Sequence, residues 1–218
     1  MKPLLIEVAF DFICPWCLIG KRNLERALKL LAASRPGVPV RVLWRGVQLL
    51  PDLPAEGVPF GEFYARRLGS EAAVLARQAQ VKAAAALAGA DVDLHRIRVM
   101  PNTANAHRLF ARAAEIGTEE QVNALLERLF AAYFQSGDDL GQQELLLRLA
   151  QSCDFDPRDL ADVLHDDATP YSGDFASLGV SGVPAFVVDQ RYPLVGAQPP
   201  EMILATLLRA MPSPELQA

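Results

Sequence analysis

Cys14-Pro15-Trp16-Cys17 stands between the apolar run at 4–10 and a helical pattern at 18–33. That order commits the start of the chain to a strand, a short turn and a helix whose first turn carries two thiols. Residues three apart are neighbours on one helix face, so the two sulfurs can close a disulfide without large backbone movement. Cys14 falls at the helix start, where unpaired N–H groups and the positive end of the dipole favour negative charge. The thiolate is the attacking species in disulfide exchange. Cys14 is therefore expected to attack, and Cys17, one turn further in, to resolve the mixed disulfide. Pro15 lacks an N–H, which costs little in a first helical turn. Trp16 is expected to cover the site with an apolar ring.

Other uses of such a pair fit less well. Structural zinc calls for four ligands, and the sequence offers Cys153 as the one further cysteine, with His95, His107 and His165 far apart. A c-type haem needs a histidine directly after the second cysteine, where Leu18 stands. A fixed disulfide across so short a loop would add little stability through chain entropy. No metal is expected, and no bound organic cofactor. Cys153 follows an amphipathic run and reads as a small buried hydrophobe.

The chain has 218 residues, 51% of them apolar and 22% charged, as in an ordinary globular protein. Its net charge of −5 and the lack of a basic block argue against nucleic-acid partners. No apolar stretch reaches the ~20 residues that span a bilayer, so no membrane partner is expected. Glu7 and Asp11 interrupt the N-terminal apolar run and no small-residue cleavage site follows it. Met1 is accordingly read as the mature start and the location as cytoplasmic, where thiols are kept mostly reduced and disulfides are transient or catalytic.

Along the chain, 4–10 reads as a buried strand and 18–33 as a helix ended by Pro36-Gly37. Residues 38–44 read as a second strand with Val38, Val40, Val42 and Trp44 on one face. A Pro-rich connector follows at 51–59, and then nearly everything from Phe60 to about residue 177 is helical in period. Within it, Ser70 can cap a helix running to Leu87. Pro101-Asn102-Thr103 opens another that Gly117 closes, and Thr118 to Gln121 fits a capping box. Val122, Leu125, Leu126, Leu129, Phe130, Tyr133 and Phe134 form a core stripe. Asp138 or Asp139 is expected to start the next helix, and Asp156-Pro157 a short one to Leu164. Strand character returns at 185–189 and 192–196 as a hairpin. A last helix at 201–209 should face Met202, Ile203, Leu207 and Leu208 inward. The order is β-α-β, a helical insertion, then β-β-α, so one sheet domain is built from both chain ends.

Three stretches give this pattern a family likeness: 10–20 around the cysteines, Asn102-Thr103-Ala104-Asn105-Ala106-His107-Arg108-Leu109, and 179–188 with Val183-Pro184. The chain resembles the DsbA-like branch of the thioredoxin fold, and within it the FrnE-type and 2-hydroxychromene-2-carboxylate isomerase-like proteins. The resemblance implies an α/β thioredoxin fold with a large all-helical insertion. The thioredoxin-like domain would comprise 1–50 and 178–218, and the insertion 51–177. It also implies a cis bond before Pro184, with that proline facing the dithiol. The Val183 backbone could then pair with an extended substrate strand. The strongly oxidising relatives carry His where Trp16 stands; an indole brings no positive charge, so a less oxidising couple is expected here. The isomerase and kappa-class glutathione transferase relatives usually have Ser at the position of Cys14.

The activity expected is thus dithiol–disulfide exchange with protein or small-molecule disulfides and thiols. Cys14 and Cys17 are catalytic; Pro15, Trp16, Val183 and Pro184 line the substrate site, with glutathione as redox co-substrate. Asp11 can serve as a proton acceptor or as a turn residue. His107 can line the substrate cleft or be a satisfied helix histidine. A glutathione-dependent isomerase or transferase is the alternative reaction class, and a redox-regulated binding module the non-enzymatic one. Oligomeric state is not legible.

Overall fold

The computed structural model describes residues 2–173 and 182–211. Gly179, Val180 and Ser181 of the third family stretch lie outside them, as does the expected boundary at 177/178. In chain order the elements begin β1 (Leu4–Phe10), α1 (Pro15–Ser34), β2 (Val40–Gly46), β3 (Val58–Pro59), α2 (Phe60–Leu68), α3 (Glu71–Ala88) and β4 (Val99–Met100). They continue with α4 (Ala104–Ile116), α5 (Glu119–Ala131), α6 (Gln143–Gln151), β5 (Ala185–Val188), β6 (Tyr192–Val195) and α7 (Pro200–Ala210).

The chain divides into two compact units. One takes residues up to Phe10, Trp16–Gly46 and the chain from Gly173 on; the other takes Asp11–Pro15 and Val47–Ser172. The first unit holds a sheet in the order β2-β1-β5-β6. β1 is central, parallel to β2 from Leu4↔Val40 to Phe10↔Gly46 and antiparallel to β5 from Ile6↔Val188 to Ala9↔Ala185. A strand covered on both faces is apolar along its whole length, as β1 is apart from Glu7. That carboxylate accepts from Arg45 Nη2 at 2.7 Å on β2. The second strand starts later than its apolar pattern suggests because Pro39 has no N–H for the ladder; its carbonyl instead accepts from Leu4 N. β6 can hold Pro193 because it is an edge strand, where one side needs no ladder donor.

Ile6, Val8, Leu24, Ala27, Leu31, Phe186, Val188, Ile203 and Leu207 form this unit's core. On α7, Ile203 and Leu207 are one turn apart and wholly buried, which turns Met202 (52% exposed) and Leu208 (37%) outward, against the sequence expectation.

The second unit is helical, and its caps are those the sequence carries. Ser70 Oγ accepts from Ala73 N, and Thr118 and Gln121 form a reciprocal capping box. Leu125, Leu126, Leu129, Phe130, Tyr133 and Phe134 are all buried. Three expectations are corrected. β3 and β4 pair antiparallel inside the supposedly all-helical stretch. Residues 138–142 form a turn in which the Asp139 carboxylate accepts from Gly141 N at 2.9 Å, so the helix begins only at Gln143. The segment after Asp156 breaks into two 3-10 turns, Pro157–Asp159 and Ala161–Val163, and 165–173 is not helical. Gly137, which closes a π-helical turn over Ala132–Ser136, has φ 76°, and a methyl there would lie 2.4 Å from the Arg96 carbonyl oxygen. Only glycine fits. Among the described residues no helix is long and apolar enough to cross a membrane.

Candidate active site

Helix α1 begins at Pro15, so Cys14 precedes its first residue and Cys17 is its third. The Cys14 N–H donates to the Asp11 carbonyl at 3.2 Å, closing the turn that leads from β1 into the helix. All three cysteines are thiols in this structure. Cys14 is 8% exposed and Cys17 1%, so the residue at the helix start is the more accessible of the pair. The first turn of α1 holds no acidic residue. Pro15 is buried and Trp16 half-buried.

In the sheet unit, the Val183–Pro184 bond is cis and directly precedes β5. The Pro184 carbonyl accepts from Gly196 N at 2.8 Å. Its ring packs on α1 at Gly20, where an added methyl would lie 3.1 Å from both Pro184 Cγ and Phe186 Cζ. Gly20 follows Cys17 by three residues and shares its helix face. The glycine thus permits the close approach of the proline to the cysteine-bearing side of α1. Val183 is partly exposed beside it. Lys21 and Asn23 were not anticipated as buried residues; Lys21 pairs with Glu25, and Asn23 Nδ2 donates to the Gln198 carbonyl at 3.0 Å.

Asp11 lies in the turn before α1, and His107 is a buried, hydrogen-bonded histidine of α4. Both side chains are fully buried, so neither lines a surface cleft. His107 Nε2 donates to Asp11 Oδ1 at 3.0 Å, and Asp11 Oδ2 accepts from Leu49 N at 2.8 Å. The imidazole packs on Phe12 (centroids 5.0 Å apart) and stacks with Tyr171 (5.2 Å). Phe12 also meets Phe110 and Phe130. These contacts are why the turn 11–15 belongs to the helical unit and not to the sheet.

The rest of the Asn102–Leu109 stretch is structural. Asn102 Oδ1 accepts from Ala104 N and from Gln48 Nε2, while its Nδ2 donates to the Leu53 carbonyl. Asn105 grips both backbone groups of His165, donating at 2.7 Å and accepting at 3.0 Å. Arg108 bonds the Thr169 and Pro170 carbonyls, and Gln48 Oε1 accepts from Tyr171 N. Side chains of α4 and of the segment after β2 therefore hold 165–171 in place.

Cys153 is buried, and burial pushes its thiol above the ordinary value. It suits a packed small hydrophobe better than a reactive group. Two tyrosines of the helical unit have raised phenols. Tyr64 on α2 has its phenol raised by burial first and then by the negative charge of Cys14. Tyr133, which donates to Met100 Sδ at 3.7 Å, is raised well above the ordinary value by burial, then by Tyr64 and Asp11. A phenol raised in the folded state keeps its proton where the unfolded chain has lost it, so folding weakens as pH climbs. Stability is expected to fall above pH ~10, the unfolded phenol range, and Tyr133→Phe should flatten that fall in urea titrations at stepped pH.

The fold has known counterparts. YwbO of Bacillus subtilis (strain 168), an uncharacterized protein, is 25% identical over 151 residues, which cover 69% of this chain and 66% of that protein. The crystal structure of the probable DsbA oxidoreductase SCO1869 from Streptomyces coelicolor superposes with a TM-score of 0.82 at 29% identity, over 97% of this chain and 92% of that one. The cytosolic disulfide reductase DsbM from Pseudomonas aeruginosa, solved with GSH, shares the fold with a TM-score of 0.53 and 20% identity, over 94% of this chain and all (100%) of DsbM. The model of the DSBA-like thioredoxin domain matches residues 5–208. The strand–dithiol–helix start, the cis-proline strand and nearly the whole length between them agree with that match: the chain belongs to the DSBA-like thioredoxin domain family.

Proposed function

We propose that the protein is a cytoplasmic dithiol–disulfide oxidoreductase working through Cys14 and Cys17. The observation that carries this reading is that Cys14 immediately precedes α1 and Cys17 is its third residue, with Cys14 the more accessible of the two. The Cys14 thiolate attacks a substrate disulfide and expels one sulfur as a thiolate, which takes up a proton. Cys17 then loses its proton and attacks Cys14, expelling the second substrate thiol and leaving the protein disulfide. Two electrons pass from the dithiol to the substrate, and the reverse sequence reduces the protein. Pro15, Trp16, Val183 and Pro184 are the residues proposed to receive the extended segment around the substrate sulfur.

Glutathione is the redox partner this reading favours, in keeping with the DsbM structure solved with GSH. Equilibration against reduced and oxidised glutathione, followed by alkylation and mass measurement, tests the couple. Trp16 between the cysteines supplies no cation, so the pair is expected to be half-oxidised near the cytosolic poise, about −220 to −320 mV. A midpoint at about −120 mV would instead mark an oxidase. A pair that never forms the Cys14–Cys17 disulfide at any ratio would overturn the proposal.

A further inference from the structure

We propose that β2 is a self-association edge, pairing antiparallel with β2 of a second copy about a twofold axis at Val42. The sheet order β2-β1-β5-β6 leaves two edges. β6 is four residues long and carries Pro193, which blunts an edge against pairing. β2 is seven residues long and holds no proline. Its ladder to β1 fixes which backbone groups point outward. Leu4 pairs with Val40, and the Leu4 N–H donates to the Pro39 carbonyl at 2.8 Å. In a parallel ladder the residues flanking the paired one take its bonds. Pro39, Arg41, Leu43 and Arg45 therefore turn their backbone groups to β1, while Val40, Val42 and Trp44 turn theirs away. Among the described residues no backbone hydrogen bond reaches the outward N–H or C=O of those three.

The side chains of the same three residues are apolar and half-buried, packed on the rim of the sheet unit's core. Trp44 is held edge-on to Phe10, with ring centroids 5.5 Å apart. The order of residues selects a second copy as the occupant. A twofold axis normal to the sheet at Val42 sets Val42 opposite its own copy and Val40 opposite Trp44 of the other chain. These pairs bring together the outward N–H and C=O groups, and each exchanges two bonds, as hydrogen-bonded pairs of an antiparallel ladder do. Their apolar side chains meet on one face. Arg41 then falls opposite Leu43. An axis at Leu43 would set Arg41 opposite Arg45, and an axis at Arg41 would set it opposite itself; like charges directly across a ladder destabilise it. An acidic extended peptide finds less here, because Arg45 is already paired with Glu7.

The test is sedimentation velocity of the full chain from about 1 μM to about 200 μM, the range expected of a small interface. The wild type should pass reversibly from monomer to dimer. Val42→Pro removes the outward N–H and keeps the bonds that Arg41 and Leu43 make to β1. It should weaken the dimer about a hundredfold or more, with disulfide exchange within about twofold of the wild type. Amide exchange in the wild type reads the register. The Val40, Val42 and Trp44 N–H groups should gain protection as concentration rises, while those of Arg41 and Leu43 are protected at every concentration. A wild type that stays monomeric at the highest concentration overturns the proposal. So does a dimer that folded Val42→Pro leaves intact, or one in which the three outward amides gain no protection. If Val42→Pro does not fold, the wild-type exchange pattern decides alone. A monomeric wild type in which an added acidic peptide protects those same amides assigns the edge to a peptide and overturns the dimer.

Discussion

Cys17→Ser is expected to stop turnover and to accumulate a mixed disulfide between Cys14 and the substrate sulfur. The serine hydroxyl is not ionised at neutral pH and does not attack sulfur, so the first half of the exchange proceeds and the second cannot. The trapped species should appear in non-reducing gels and intact mass as protein plus peptide or plus glutathione, and should vanish with dithiothreitol. Cys14→Ser removes the nucleophile itself, and the rate should fall on the order of 10³-fold or more with no adduct. The pair of results separates two chemistries on this fold. A glutathione-dependent isomerase or transferase would need no resolving thiol, and its turnover would survive the loss of Cys17. Each serine puts a hydroxyl at a buried position and should cost about 1–3 kcal/mol, so turnover is compared where the variants are folded.

Phe12→Ala is expected to be the most damaging single substitution for stability, at about 3–5 kcal/mol. Phe12 is wholly buried, with ring centroids 5.0 Å from His107, 5.8 Å from Phe110 and 5.6 Å from Phe130. Removing the ring opens a cavity beside these three aromatic groups of α4 and α5, none of which can collapse into it cheaply. Urea unfolding should show a lower midpoint with the slope unchanged. The damage should extend to chemistry, because Phe12 anchors the turn that carries Cys14. Under conditions where the variant remains folded, exchange should be slower than wild type. Phe12→Leu, which refills part of the cavity, should restore most of both.

The redox segment was legible because its signals are local. An apolar run, two cysteines at helical spacing and a helix-period pattern fall within thirty-odd residues, and each constrains the next. The same holds for the Thr118–Gln121 capping box and the hairpin of β5 and β6. Local signals failed where long-range packing decides. Nothing in Val58-Pro59 or Val99-Met100 announces a two-residue ladder. Asp139 looks like a helix start but spends its carboxylate on Gly141. Met202 sits in an apolar run, yet the face of α7 is set by Ile203 and Leu207.

The Asp11–His107 pair is the clearest case, joining residues 96 apart in sequence. Both were visible as candidates, one beside the cysteines and one in the Asn102–Leu109 stretch, and neither spacing nor composition could join them. Phe12 looked like ordinary core. Its place between the redox turn and two helices became apparent only when the helical segment was folded around it.

The most direct measurement is the initial rate at which the reduced protein cleaves a peptide disulfide, set beside free dithiol at the same thiol concentration. A rate well above the free thiol, abolished by Cys14→Ser, is the expected result. A rate no faster than the free thiol, for protein shown by mass to hold both Cys14 and Cys17 reduced, would contradict it.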